Sequence, residues 1–208
     1  YSNGIFHLRE YEFTTPELYN SIHLIRHKKY AIQEGAINIE NIQNILNNIQ
    51  VVEEPKLPFP QADSFERVIN LCELLKQKGF ISKNDITQNY DFDYRQTNYY
   101  SSAARYLGLI KDVYENRQTG CSLTQEGFRI FNLPIVERQL EFVKLILTHT
   151  VFQNTLNLYF EKGDAPTKDE VVEIMKEAQL YNIDSEQTYR RRASTIISWI
   201  NWILGLIE

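Results

Sequence analysis

The feature that most constrains this chain is the punctuation between Ser64 and Gly127. Ser64 is a helix N-cap residue, and Phe65, Val68, Leu71, Cys72 and Leu75 follow at helical spacing until Gly79 ends the pattern. Ser82-Lys83-Asn84-Asp85 opens a second, short helix containing Ile86, and Tyr90-Asp91-Phe92-Asp93 reads as a turn. A third helix is predicted from about Tyr94 to Tyr106, with Tyr100, Ala103, Tyr106 and Leu107 on one face. After Gly108, Leu109 to Tyr114 has strand character, Glu115 to Gly120 is a polar hairpin turn, and Cys121 to Leu123 is the returning strand. Thr124-Gln125-Glu126-Gly127 then starts another helix.

Helix, short helix, helix and two-stranded hairpin is the order of a winged helix-turn-helix. The rest of the chain repeats the plan. Gly79 to Ile86 aligns with Gly163 to Val171 with one inserted residue, and both copies place a hydroxyl cap ahead of an acidic first turn. Thr167 and Glu170 make a capping box in the second copy. Gln96-Thr97 leads to Leu107-Gly108-Leu109-Ile110, and Gln187-Thr188 leads to Leu204-Gly205-Leu206-Ile207, so the second helix is longer by about two turns. A second wing is expected to be truncated or absent.

The segment from Glu53 to Pro60 holds half of the six prolines, and proline removes donors and biases its predecessor away from helix. A linker over residues 53–61 therefore separates an N-terminal strand-helix region (1–52) from a first winged-helix domain (62–135) and a second winged-helix-like helical domain (136–208). The expected class is mainly α with minor α+β character: tandem winged helix-turn-helix-like units and a small N-terminal α/β element. In residues 1–52, alternation from Ile5 to Phe13 reads as a strand. Thr15-Pro16 caps a helix through Tyr19, Ile22, Leu24 and Ile25, ending at the cations Arg26 to Lys29, and a short helix carries Ile39, Ile42, Ile45 and Leu46. The start at Tyr1 and the single methionine, Met175, point to a piece of something longer, possessing in residues 1–52 either part of a preceding domain or a third recognition element. Abundant Ile, Asn, Lys and Tyr hint at AT-rich bacterial coding sequence.

A net charge of −5 argues against indiscriminate nucleic-acid binding, because such affinity comes from phosphate neutralisation. It leaves specific binding open, since that depends on where cations cluster. The two cysteines, Cys72 and Cys121, have no metal-spaced partner, which disfavours a zinc site or a disulfide framework and suits a reducing, cytoplasmic setting. No apolar run reaches the roughly 20 residues of a membrane span. Catalytic motifs are missing too. The histidines are scattered apart from His23 and His27, there is no glycine-rich phosphate loop, and Glu54-Pro55-Lys56 resembles a nuclease Glu-x-Lys only inside the proline-rich segment.

The cations cluster at Arg190-Arg191-Arg192, in the first turns of the last long helix. Ala193, Ile196, Ile197, Ile200 and Leu204 would face inward, flanked by Trp199 and Trp202 as core residues. That packing leaves Gln187, Thr188, Arg190, Arg191, Ser194, Thr195 and Ser198 outward, where a recognition helix meets bases and phosphates. The competing structural reading is a solvated turn paired with Asp184 and Glu186. The third helix of the first unit offers Arg95, Gln96, Asn98, Ser101, Ser102 and Arg105. Gln and Asn suit adenine by geometry, and Arg suits guanine or phosphate. The hairpin tip adds Asn116, Arg117 and Gln118.

Ala62 to Val68, then Tyr99-Tyr100 through Ala103 to Leu109, then Leu123 to Gly127, resemble the winged-helix modules of bacterial type II restriction endonucleases. The run Tyr189 to Trp202 resembles the helix closing such modules. The resemblance covers about Ala62 to Glu208 and implies sequence-specific recognition of double-stranded DNA. It places the catalytic nuclease domain, with its Mg2+, elsewhere in a parent enzyme, leaving no catalytic residue, metal ligand or cofactor expected in this fragment. Partners would be DNA, that nuclease domain and, in one arrangement, a second copy as a homodimer, with no membrane. A winged-helix transcription regulator and a winged-helix protein-interaction module are the alternatives.

Overall fold

A computed structural model describes residues 6–8, 11–13, 36–82, 85, 94–115, 117–178 and 180–208, with 6–8, 11–13 and 94–97 described by backbone alone. Two compact units result, Tyr1–Ile37 and Asn38–Glu208. In the first, β1 (Phe6–Leu8) and β2 (Tyr11–Phe13) pair antiparallel with Phe6 opposite Phe13. In place of the single strand expected over Ile5 to Phe13 there are two short antiparallel strands, and alternation alone does not show where one ends. The expected helix from Thr15 to Lys29, with His23 and His27, lies outside the described residues.

The second unit is mainly helical with one small antiparallel sheet. Helix α1 (Ile39–Asn48) is capped reciprocally by Asn38 and Asn41 and buries Ile42 and Leu46. Helix α2 (Phe65–Lys78) begins at Ser64, whose hydroxyl accepts from the Arg67 amide, and ends at Gly79 in a left-handed conformation, φ 77°. Strand β3 (Phe80–Ser82) follows, then α3 (Tyr94–Tyr106), β4 (Ile110–Glu115) and β5 (Gln118–Leu123). The sheet order is β3-β5-β4. In the described residues the order is helix, strand, helix and hairpin, with the strands in one three-stranded antiparallel sheet. Strand β3 was not legible in the sequence, because three residues are too few to show a period of two. The wing turn is tighter than expected: β4 runs to Glu115, paired with Gln118, and Arg117 takes φ 62° between them. Most of the predicted short helix after Ser82 and the turn at Tyr90 to Asp93 lie outside the described residues, as does Asn116.

Helices α4 (Gln125–Phe131), α5 (Ile135–Leu147), α6 (Thr150–Lys162), α7 (Lys168–Glu177) and α8 (Glu186–Leu204) complete the chain. The repeat holds at its caps. Ser82 Oγ accepts from the Asp85 amide and donates to the Asp85 carboxylate, while Thr167 and Glu170 exchange the equivalent pair of bonds. Gly163, like Gly79, is left-handed, φ 69°. The repeat fails at its end. Gly108 is left-handed, φ 70°, and turns the chain into β4, whereas Gly205 stays right-handed, φ −69°, and residues 206–208 form no strand.

The proline-rich segment does more than connect. Phe59 is buried and packs against both Tyr106 of α3, at 5.4 Å, and Phe152 of α6, at 5.8 Å. Further along, the Trp199 indole N–H donates to the Ala62 carbonyl at 2.7 Å, and Phe65 meets the rings of Phe142, Trp199 and Trp202. The predicted linker and the two stretches read as separate domains, 62–135 and 136–208, therefore share one aromatic core. No helix among the described residues is long and apolar enough to cross a membrane.

Candidate nucleic-acid interface

Helix α3 buries Tyr100, Ala103, Ala104 and Tyr106, and also Ser101, whose hydroxyl bonds back to the Asn98 carbonyl. Its other face carries Asn98, Ser102 and Arg105, all half-buried. Arg95 and Gln96 lie in its first turn, with side chains outside the described residues. Arg105 Nη2 sits 2.7 Å from Asp112 Oδ1 on β4, so this arginine ties the helix to the wing. Its Nε is buried without a hydrogen-bond partner.

Alternation along a strand puts Tyr114 on the same side of β4 as Asp112, and Tyr114 is 73% exposed. The outer face of α3 thus continues through the Arg105–Asp112 bridge onto the wing, ending at exposed Arg117 and Gln118. Two glycines hold that wing in place. A Cβ on Gly120 would lie 2.2 Å from the Ile81 carbonyl oxygen, and one on Gly127 equally close to that of Leu109. Thr124 clasps the same corner, donating to the Gly108 carbonyl at 2.7 Å while its oxygen accepts from the Gly127 amide.

Helix α8 starts at Ser185, which accepts from the Thr188 amide and shares a 2.8 Å contact with the Thr188 hydroxyl, so Thr188 serves the cap. The inward face is Ala193, Thr195, Ile196, Trp199, Ile200 and Ile203. It is turned from the expected one, with Ile197 and Leu204 only half-buried. Trp199 is the reason: its hydrogen bond to Ala62 and its stacking on Phe152, at 5.2 Å, draw it to the centre of the core. Thr195 must be corrected accordingly. It is fully buried, donates to Asp63 Oδ1 at 2.9 Å, and presents nothing to a ligand. Trp199 is core, as expected.

The outward face keeps Gln187, Arg190 and Arg191 exposed, with Ser194 and Ser198 half-buried. Their electrostatics differ sharply. Arg190 lies 2.6 Å from Asp169 on α7 and 3.6 Å from Glu186, so its charge is compensated partly as the competing reading anticipated, with Asp169 in place of Asp184. Ser194 accepts from Lys168 Nζ at 2.8 Å. Arg191 has no ion pair among the described residues. Arg192, absent from the sequence-predicted set, is half-buried with an unpartnered Nε. Burial and then the Arg191 charge hold its guanidinium below the ordinary arginine range, with Tyr99 of α3 acting against them. Tyr114 and Arg192 thus belong to the candidate surface without having been singled out from the sequence. Hydropathy gives no reason to expect an exposed wing tyrosine, and three adjacent arginines cannot be ranked without their neighbours.

One polar cluster lies inside the core. Tyr106 donates to Glu54 Oε2 at 2.6 Å, His149 stacks on Tyr106 at 4.2 Å, and His149 Nδ1 is 3.4 Å from Glu54 Oε1. Burial first, and Glu54 second, push the Tyr106 hydroxyl's pKa up. Glu54, considered with Lys56 as a nuclease-like pair, is thereby committed to a structural bond. Burial likewise raises the Cys72 thiol, which is inert packing as expected. Among the described residues, no group of three His, Cys, Asp or Glu side chains is placed to hold a metal ion.

No curated protein and no solved structure matches the chain. Residues 67–208, from within α2 to the last residue, match the model of a domain of unknown function, DUF7226, and the chain belongs to that family.

Proposed function

We propose that the chain recognises double-stranded DNA by sequence, as the DNA-binding part of a type II restriction endonuclease whose Mg2+-dependent catalytic domain lies outside these residues, working in the cytoplasm. The observation that carries this reading is the continuous surface of α3 and the wing. A helix with Asn98 and Ser102 outward is held by Arg105–Asp112 to a hairpin bearing Tyr114 and Arg117. A helix of this kind suits the major groove, and a hairpin beside it suits the adjacent backbone. With an overall charge of −5, affinity must come from local cations and specificity from neutral readers, which favours a selective binder.

Selection of the chain against a randomised duplex library at two salt concentrations tests this. Enrichment of one short motif, weaker at high salt, supports sequence reading. A protein-interaction module is the second reading, favoured by Phe128 and Ile135, 55% and 54% exposed near the α4–α5 corner. Absence of any enrichment at low salt would leave that reading in place. A palindromic motif bound by a dimer would instead favour a regulator.

A further inference from the structure

We propose that Arg191 and Arg192 of α8 form an anion site that takes a backbone phosphate of the duplex read by α3 and the wing. The inference rests on the DNA reading above and adds where the phosphate sits. Half-burying a guanidinium costs solvation unless a counter-charge is supplied, and structural arginines normally have one. Arg105 and Arg190 follow that rule: Arg105 has Asp112, and Arg190 has its charge taken up by Asp169 and Glu186. Arg192 does not. Its Nε is buried and unpartnered, as is that of Arg105, but unlike Arg105 neither Arg191 nor Arg192 pairs with a carboxylate among the described residues. Two uncompensated charges on consecutive residues form a local positive site on an otherwise acidic chain.

The position of Arg192 narrows the ligand. Consecutive residues on a helix diverge by about 100°, and Arg191 is exposed while Arg192 is half-buried. A single oxyanion bound there can meet a planar guanidinium donor fork and a more exposed neighbour together. Along α8, Gln187 and Ser194 leave the same helix outward, and Asn98 and Ser102 do so from α3. A phosphodiester at the arginine pair would therefore have neutral hydrogen-bonding groups of α8 one turn to either side. Free inorganic phosphate offers the same oxyanion without the strand, so both sources are tested.

The experiment compares the wild-type chain with Arg190→Gln, Arg191→Gln, Arg192→Gln and Arg192→Lys. It measures duplex binding by fluorescence anisotropy across a salt series, and the thermal midpoint with and without inorganic phosphate. Losing either member of the pair should weaken duplex binding about tenfold, the usual effect of one charged hydrogen bond. It should also lower the salt slope by about 0.9 per lost phosphate contact. Arg190→Gln should stay within about threefold of wild type. Arg192→Lys, which keeps the charge without the fork, should retain the slope and lose part of the affinity. Because Arg191 is exposed, Arg191→Gln keeps the test valid if Arg192→Gln folds poorly. Equal losses in Arg190→Gln and Arg191→Gln, with an unchanged salt slope, overturn the assignment. If wild type binds no duplex, the DNA reading fails separately. A phosphate-induced rise in midpoint abolished by Arg191→Gln would then keep the anion site, and no rise would remove both.

Discussion

Replacing Trp199 with Phe tests whether the helices of residues 62–135 and 136–208 melt as one body. Trp199 is fully buried on α8, yet its N–H bonds to Ala62, just before α2, and its ring lies 4.9 Å from Phe65 and 5.2 Å from Phe152. Phenylalanine keeps an aromatic ring but removes the donor. The Ala62 carbonyl, in a residue 1% exposed, is then left without that partner, at a cost of about 1–3 kcal/mol. The missing pyrrole edge adds a cavity cost of about 1 kcal/mol. Together these come to about 3 kcal/mol, and at about 2–4 °C per kcal/mol for a chain of this size the midpoint falls by about 6–12 °C. The variant carries its own reporter. Only two tryptophans are present, so Trp202, 4.5 Å from Phe65, becomes the sole tryptophan and, excited selectively over tyrosine, reads the α2–α8 contact directly. Thermal melts followed by Trp202 fluorescence and by far-ultraviolet circular dichroism should coincide at the lowered midpoint. A shift below about 1 °C, or a fluorescence transition well separated from the helix signal, would refute the shared core.

Three further outcomes follow from particular contacts. Gly127→Ala should destabilise the protein in urea unfolding although helix propensity alone favours alanine by about 1 kcal/mol, because the new Cβ meets the Leu109 carbonyl oxygen at 2.2 Å; a stabilised variant would contradict the close approach. Glu170 is held at about 2, below the ordinary 4.5, first by Lys162 and then by Thr167, so its contribution is present above the unfolded value and is lost as pH falls through about 2. Titration by NMR should show that midpoint, rising toward the ordinary value in Lys162→Gln, and an unmoved midpoint would dismiss the ion pair as its cause. Asp112→Ala should lower stability by about 1–3 kcal/mol, because it leaves the half-buried Arg105 guanidinium without its acceptor, yet strengthen duplex binding by freeing Arg105 and removing a negative charge, whereas Arg105→Ala should weaken it. Equal effects of the two variants on binding would separate this pair from the interface.

Local signals account for what the sequence revealed of the fold. Ser64 and Gly79 bound α2, Thr124 and Thr167 cap α4 and α7, and the wing lies where strand residues flank a polar turn. Long-range pairing was hidden. Strand β3 exists because β5 offers it a partner, and nothing in Phe80-Ile81-Ser82 announces that. Helices α5 and α6 were not individually anticipated, and the segment 53–61 looked like a spacer because proline content says nothing of where Phe59 packs. The site divides in the same way. Residue type identified Asn98, Ser102, Arg117, Gln187, Arg191 and Ser194 as outward polar positions. One bond from Trp199 turned α8 enough to bury Thr195, and the acids of α7 compensated Arg190. Which arginine lacks a counter-charge is a tertiary property, invisible in a run of three.

Amide hydrogen exchange of the full chain, with and without the duplex recovered by selection, tests the central claim most directly. The account predicts added protection in α3, the β4–β5 wing and the first turns of α8, with α1 and the α4–α5 corner unchanged. Protection confined to the corner around Phe128 and Ile135, or none at saturating duplex, would contradict it.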